Sequence, residues 1–207
     1  MDLKNAAILV TGGASGIGLE TARLLRSQGA KVAICGRNSE RLEQAAASLG
    51  AFPICADVSV EADVKRMVQT VIAEFGDYNA LVNNAGYGYF APLIEQDPDQ
   101  FNRLFLTNVA GAMLVARESA RYFISRQRGN IINISSTAGS RGFAGGTAYA
   151  ASRCRRRNRA PHLLLTSDIW RLISIRTEER PSGLPSLLDA REYNSPVMPR
   201  SPAAAER

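Results

Sequence analysis

Residues 6 to 18 read Ala6-Ala7-Ile8-Leu9-Val10-Thr11-Gly12-Gly13-Ala14-Ser15-Gly16-Ile17-Gly18. An apolar run of strand character enters a turn of the form Gly-x-x-x-Gly-x-Gly, and an amphipathic stretch follows. Glycines allow a sharp turn and let backbone amides approach a pyrophosphate, whose charge a helix N-terminus then favours. A glycine-rich turn with no ligand is the alternative. The position between a first strand and a helix is the context that makes the pattern informative.

Working outward, short apolar runs alternate with amphipathic stretches up to about residue 152. Strands are predicted at Ala6 to Thr11, Lys31 to Cys35, Phe52 to Ala56, Ala80 to Asn83 and Asn130 to Ser135. Helices are predicted near Ile17 to Gln28, Glu40 to Leu49, Glu61 to Phe75 and, as one long element, Gln100 to Arg126. Alternation of this kind is the signature of an α/β fold. The strands are continuously apolar, as expected when helices cover both faces. The expected fold is a Rossmann-like, doubly wound parallel sheet with its ligand crevice at the carboxyl ends of the strands. Cys35 and Cys55 lie in strand-like runs and read as small buried thiols, and the three cysteines lack metal-ligand spacing. No metal site is expected.

Further motifs fall at those strand ends in a telling order. Asp57-Val58 follows the third strand, and Asn83-Asn84-Ala85-Gly86 ends the fourth. Asn108 lies within Leu106-Thr107-Asn108-Val109, Ser135-Ser136 ends the fifth strand, and Tyr149-Ala150-Ala151-Ser152-Arg153 follows. With the glycine turn, these five ordered motifs make the first 153 residues resemble the short-chain dehydrogenase/reductase family. The resemblance implies hydride transfer between a nicotinamide cofactor and a small-molecule alcohol or ketone. It implies that Tyr149 is the general acid/base, which with an unperturbed pKa of about 10 needs a positive neighbour. It makes Ser136 a second donor to the reacting oxygen, Asn108 the holder of a water on the proton path, and Arg153 the charge beside Tyr149.

On the cofactor side the resemblance assigns Gly12, Ser15, Gly16, Ile17, Gly18, Arg37, Asp57, Val58, Asn84, Ala85 and Gly86. NAD-selective members carry an acidic residue at the end of the second strand. Here Gly36-Arg37 stands there, so NADP is favoured, with NAD the alternative. Arg37 also reads as a solvated helix-start residue, and Asp57 as a helix cap. A homodimer or homotetramer is what the family implies.

Two departures stand out. The family places lysine four residues after its tyrosine, where this chain has Arg153. Positions i and i+4 share a helix face, so the charge still points toward Tyr149, but a guanidinium is bulkier and releases no proton. The second departure is compositional. Residues 1 to 152 hold 14 Lys+Arg and 13 Asp+Glu, whereas residues 153 to 207 hold 11 and 6, so the formal charge of +6 belongs mainly to the end of the chain. That end has 6 of the 9 prolines and 1 of the 17 glycines, and all its basic residues are arginine.

The expected organisation is therefore a truncated catalytic domain over 1–153 and an irregular Arg/Pro-rich tail over 154–207 in place of the family's last strands and helices. A reading-frame shift near Ser152 would produce such a change. A nucleic-acid arm is disfavoured because the arginines lack interleaved aromatics. No apolar run reaches the roughly 18 to 20 residues of a membrane span, and no secretory leader is apparent, so a cytoplasmic protein is expected. A dinucleotide-binding protein with impaired catalysis is the competing reading.

Overall fold

The computed structural model describes residues 2–154. Their strands are β1 (Ala7–Thr11), β2 (Lys31–Gly36), β3 (Phe52–Cys55), β4 (Ala80–Asn83) and β5 (Asn130–Asn133). They form one all-parallel sheet in the order β3-β2-β1-β4-β5. The chain steps outward from β1 to β3 and then returns to lay β4 on the other side of β1. This reversal opens a crevice between the carboxyl ends of β1 and β4.

Every residue of β1 is buried because both sheet faces are covered. Alternate side chains separate into two cores. Leu9, Ala33 and Leu81 pack with Val64, Met67, Val71, Val115 and Phe123, which come from α3 (Glu61–Phe75) and α5 (Ala112–Ser125). Ile8, Val10, Val32, Ile34 and Val82 pack with Ala22, Leu42 and Ala46 from α1 (Gly16–Ser27) and α2 (Ser39–Leu49). Val64, Met67, Val68 and Val71 recur at helical spacing and are all buried, which gives α3 one apolar stripe. Each fully buried side chain of this size contributes roughly 1.5–3 kcal/mol of transfer free energy.

Local signals set the helix limits. The Asn38 side chain accepts a hydrogen bond from the Arg41 backbone N–H to start α2, and Gly50, at φ +61°, ends it in the left-handed region. Asp97 accepts from the Asp99 N–H ahead of α4 (Pro98–Phe105), whose first position is proline.

The long helix expected near Gln100 to Arg126 runs without a break from α4 through a π-helical turn at Leu106–Gly111 into α5. The wider turn accompanies an inward-facing, buried Asn108 and lets Gly111 approach Val58, whose Cγ2 would lie 2.9 Å from a Cβ there. One expectation is corrected. Cys55 is exposed rather than buried, since β3 is an edge strand. Cys35, on the interior strand β2, is buried, and burial pushes its thiol up to about 12. From Arg155 onward the expected tail lies outside the described residues.

The buried Tyr78 hydroxyl lies 2.8 Å from Ser119 Oγ, tying the approach to β4 to helix α5. Tyr78→Phe removes one partner and leaves the other buried, so a loss of about 1–2 kcal/mol is expected, read as a lower urea midpoint at unchanged slope.

Candidate active site

The crevice is held by one hydroxyl. Thr11 Oγ1 accepts the backbone N–H groups of Asn84 and Ala85, each at 2.9 Å, and lies 3.5 Å from the Val82 carbonyl. Asn84 returns the contact by donating Nδ2 to the carbonyls of Thr11 (2.9 Å) and Gly12 (3.4 Å). The ends of β1 and β4 are thereby stitched together and the glycine turn is seated on the Asn84 side chain.

The glycines fit this seat sterically. A Cβ on Gly18 would collide with the Gly12 carbonyl oxygen and sit 2.9 Å from the Gly12 carbonyl carbon. At Gly13 a Cβ would come within 2.6 Å of Ile34. Gly12 and Gly16 have φ of +65° and +53°. Helix α1 therefore starts hard against the turn, with no acidic residue in its first turn and no hydrogen bond from the Ser15 side chain to its amides. Such an uncapped, unopposed N-terminus favours an anionic group.

A cleft of about 330 Å³ runs from this turn along the strand ends. Seven of the expected cofactor residues line it: Gly12, Ser15, Arg37, Asp57, Val58, Ala85 and Gly86. Gly18 and Asn84 shape its floor from behind. Gly16 lies in the turn with open space where a Cβ would point, and Ile17 is 67% exposed on the first turn of α1. Asn38, Arg41, Tyr87 and Thr107 also line the cleft and were not among the expected residues.

At the far end Arg37 Nη1 stands 3.9 Å from Asp57 Oδ2, a loose pair between an exposed guanidinium and a half-buried carboxylate. Asp57 does not cap a helix. Its Oδ1 accepts from the Ser59 N–H (2.9 Å) and hydroxyl (2.7 Å), closing a turn before α3, while its own N–H donates to Asp63. That N–H, with Arg66, holds the Asp63 carboxyl below its ordinary value. A depressed carboxylate pKa gives a stabilising contribution that is present at neutral pH and lost as the pH falls below the ordinary carboxylate range and through the depressed value.

The expected catalytic residues gather partly. Asn108 Oδ1 accepts from the Tyr87 N–H (3.0 Å), and its Nδ2 donates to the Tyr87 carbonyl (2.9 Å) and to Ser152 Oγ (3.0 Å). Ser152 donates in turn to the Tyr149 carbonyl (2.8 Å). The π-helical turn, the loop after β4 and the short helix α6 (Thr147–Ser152) are locked by these bonds. The Arg153 guanidinium carbon sits 5.6 Å from the Tyr149 ring centroid, and Nη1 donates to the Ile134 carbonyl at 3.2 Å. A side chain on Gly86 would collide with that guanidinium and lie 2.7 Å from Asn108 Oδ1.

Asn108, Tyr149 and Arg153 thus converge beside Gly86. Ser136, three residues beyond β5, accepts from the Ala138 N–H (3.2 Å) and caps the turn that follows. Thr11 and Ser152 stand in the sequence motifs with no role evident there. Each is a short hydroxyl residue that meets a distant partner, Asn84 73 positions from Thr11 and Asn108 44 positions from Ser152, so local sequence carries no sign of these contacts. Among the described residues no His, Cys, Asp and Glu cluster is arranged to hold a metal, and no helix is long and apolar enough to cross a membrane.

Comparison with known proteins agrees with this geometry. The short chain dehydrogenase family model matches residues 6–155. Over 156 residues the chain is 38% identical to galactitol 2-dehydrogenase of Agrobacterium fabrum, covering 74% of this chain and 61% of that protein. It is 40% identical over 152 residues to (+)-borneol dehydrogenase 2 of Salvia officinalis, covering 70% and 53%. The solved structure of an NAD+-bound xylitol dehydrogenase superposes with a TM-score of 0.71 at 36% identity, covering 74% of this chain and 61% of that one. The chain belongs to the short chain dehydrogenase family. It spans between 44% and 66% of the length of the curated relatives it matches.

The seat predicts a difference between two glycines. Gly18→Ala has no space and is expected to lose about 1–3 kcal/mol, whereas Gly16→Ala has room and bears only left-handed backbone strain of about 1 kcal/mol. Urea denaturation of the two variants side by side checks the order.

Proposed function

We propose that this chain derives from an NADP-preferring oxidoreductase acting on a small-molecule alcohol or ketone, with Tyr149 as its proton carrier. The observation that carries the reading is the glycine seat at the β1/β4 crevice, where no side chain can be added at Gly18 and α1 presents an uncapped N-terminus to the cleft. A dinucleotide pyrophosphate fits there, with Gly86 and the Tyr149–Arg153 pair toward its nicotinamide end. When bound, the cofactor exchanges hydride equivalents with the substrate carbon. Tyr149 gives its phenolic proton to the carbonyl oxygen in reduction and takes it back in oxidation. Ser136 is assigned as a second donor to that oxygen.

The preference for NADP rests on charge. Position 36 is glycine, leaving no carboxylate at the end of β2, and Arg37 and Arg41 both line the cleft there. Arginine pairs well with a phosphate monoester, and the loose Arg37–Asp57 contact leaves the guanidinium free to do so. The xylitol dehydrogenase compared above carries NAD+; the NADP reading rests on the present chain's arginines alone.

One observation favours the competing, binding-only reading. The Arg153 guanidinium sits on the Tyr149 ring and crowds Gly86, and its Nε is buried without a hydrogen-bond partner among the described residues. A lysine there would present one compact ammonium instead of a planar fork.

Titration by thermal shift is expected to show tighter binding of NADPH than NADH, with Arg37→Glu reversing the order; equal affinities would remove the NADP assignment. In turnover assays at the nicotinamide absorbance, Tyr149→Phe is expected to lower the rate about a hundredfold or more with cofactor binding retained. Arg153→Lys is expected to raise the rate. Cofactor binding with no turnover in either the parent or Arg153→Lys would establish the binding-only reading.

A further inference from the structure

Three aromatic rings, those of Tyr149, Phe90 and Phe143, meet at the site. Phe90 packs edge-on against Tyr149, with centroids 5.5 Å apart, and Phe143 packs on Phe90 at 5.8 Å. Both phenylalanines are nevertheless open to solvent, Phe90 at 58% and Phe143 at 50%. They come from different loops, one after β4 and one after β5, which are joined by a hydrogen bond from the Ala91 N–H to the Gly145 carbonyl at 2.9 Å.

Each ring folds back over a glycine of its own loop. A Cβ on Gly88 would lie 2.6 Å from Phe90 Cε2, and one on Gly146 would lie 2.7 Å from Phe143 Cε1. Any larger residue at those two positions would push the rings off. In the first loop Tyr89 OH accepts from the Asp97 N–H at 2.8 Å, and Gln96 Nε2 donates to the Ala91 carbonyl at 3.2 Å, so both side chains are turned onto the loop itself. The two phenylalanine rings are the exposed apolar surface next to Tyr149.

We propose that Phe90 and Phe143 set the substrate class of this site: an aryl or alicyclic ketone, or the matching secondary alcohol, whose ring lies against the two phenylalanines while its oxygen reaches Tyr149. Against the faces of these two rings a polyhydroxylated substrate would give up water without gaining a polar partner from the rings. This proposal rests on the assignment of Tyr149 made above, and it gives the relatives' contrasting substrates, a sugar alcohol and a terpene alcohol by their names, a discriminating feature in this chain.

The test uses the full chain, with and without NADPH, and reads ligand binding by saturation-transfer NMR with acetophenone, cyclohexanone and a ketohexose as probes. Transfer to the two cyclic ketones and none to the ketohexose is expected. Phe90→Ala and Phe143→Ala are each expected to weaken acetophenone binding about tenfold, with Phe143→Leu intermediate, since an aromatic pair adds an increment of this order to the area it buries. Equal transfer to the ketohexose, or alanine variants that lower the urea midpoint while leaving acetophenone binding unchanged, would overturn the proposal. Binding is read separately from turnover. Ring-dependent acetophenone binding without any turnover would sink the catalytic reading and leave this one standing, and turnover with no dependence on either ring would do the reverse.

Discussion

The site depends on a hydroxyl at the end of the central strand. Thr11 takes two backbone N–H groups from the chain that leaves β4, and in doing so sets how far the carboxyl ends of β1 and β4 stand apart. A parallel sheet does not by itself define that spacing, because ladder bonding stops where the strands end. With the hydroxyl in place, Asn84 can reach back to the Thr11 and Gly12 carbonyls, the glycine turn has a floor, and α1 can begin within contact of it. Removing the methyl-bearing hydroxyl would leave two inward amides unpaired in a half-buried setting.

A second set of bonds extends this order to the chemistry. Asn108 uses both hydrogens and an oxygen lone pair on Tyr87 and Ser152, so the loop after β4 and helix α6 share one support. Asn108 lies buried within the π-helical turn. Thr11 positions the glycine-turn end of the cleft and Asn108 the end near α6, and Gly86 lies against Asn108 and Arg153.

How much was legible in the sequence follows from the range of the forces involved. The strands and the first three helices were readable to within a residue or two because apolar runs and helical periodicity are local and the sheet buries both faces. The glycine seat was readable because only glycine tolerates such close approach. The π-helical turn at Leu106–Gly111 within the long helix was not, since nothing in that stretch departs from the α-helix by propensity, and Asn108 within it is held by a partner 21 residues away at Tyr87. Exposure of Cys55 was missed for a related reason: apolar strand composition does not say which strand ends at the edge of the sheet. The meeting of Phe90 with Phe143 required two loops far apart in the chain to be brought together by the fold.

The order of the strands also bears on how the molecule assembles. β1, β2 and β3 are neighbours in the chain and can pair in sequence, but β4 must find β1 after some seventy residues have been laid down, as the Thr11–Asn84 bond spans 73 positions. Closing so long a loop is entropically slow and rewards the chain only late. Until β4 docks, the most apolar strand of the protein presents an open ladder along one side. That interval is when an unfinished chain is most open to edge-to-edge association with another copy, and a chaperone that shields exposed strand edges would act here first.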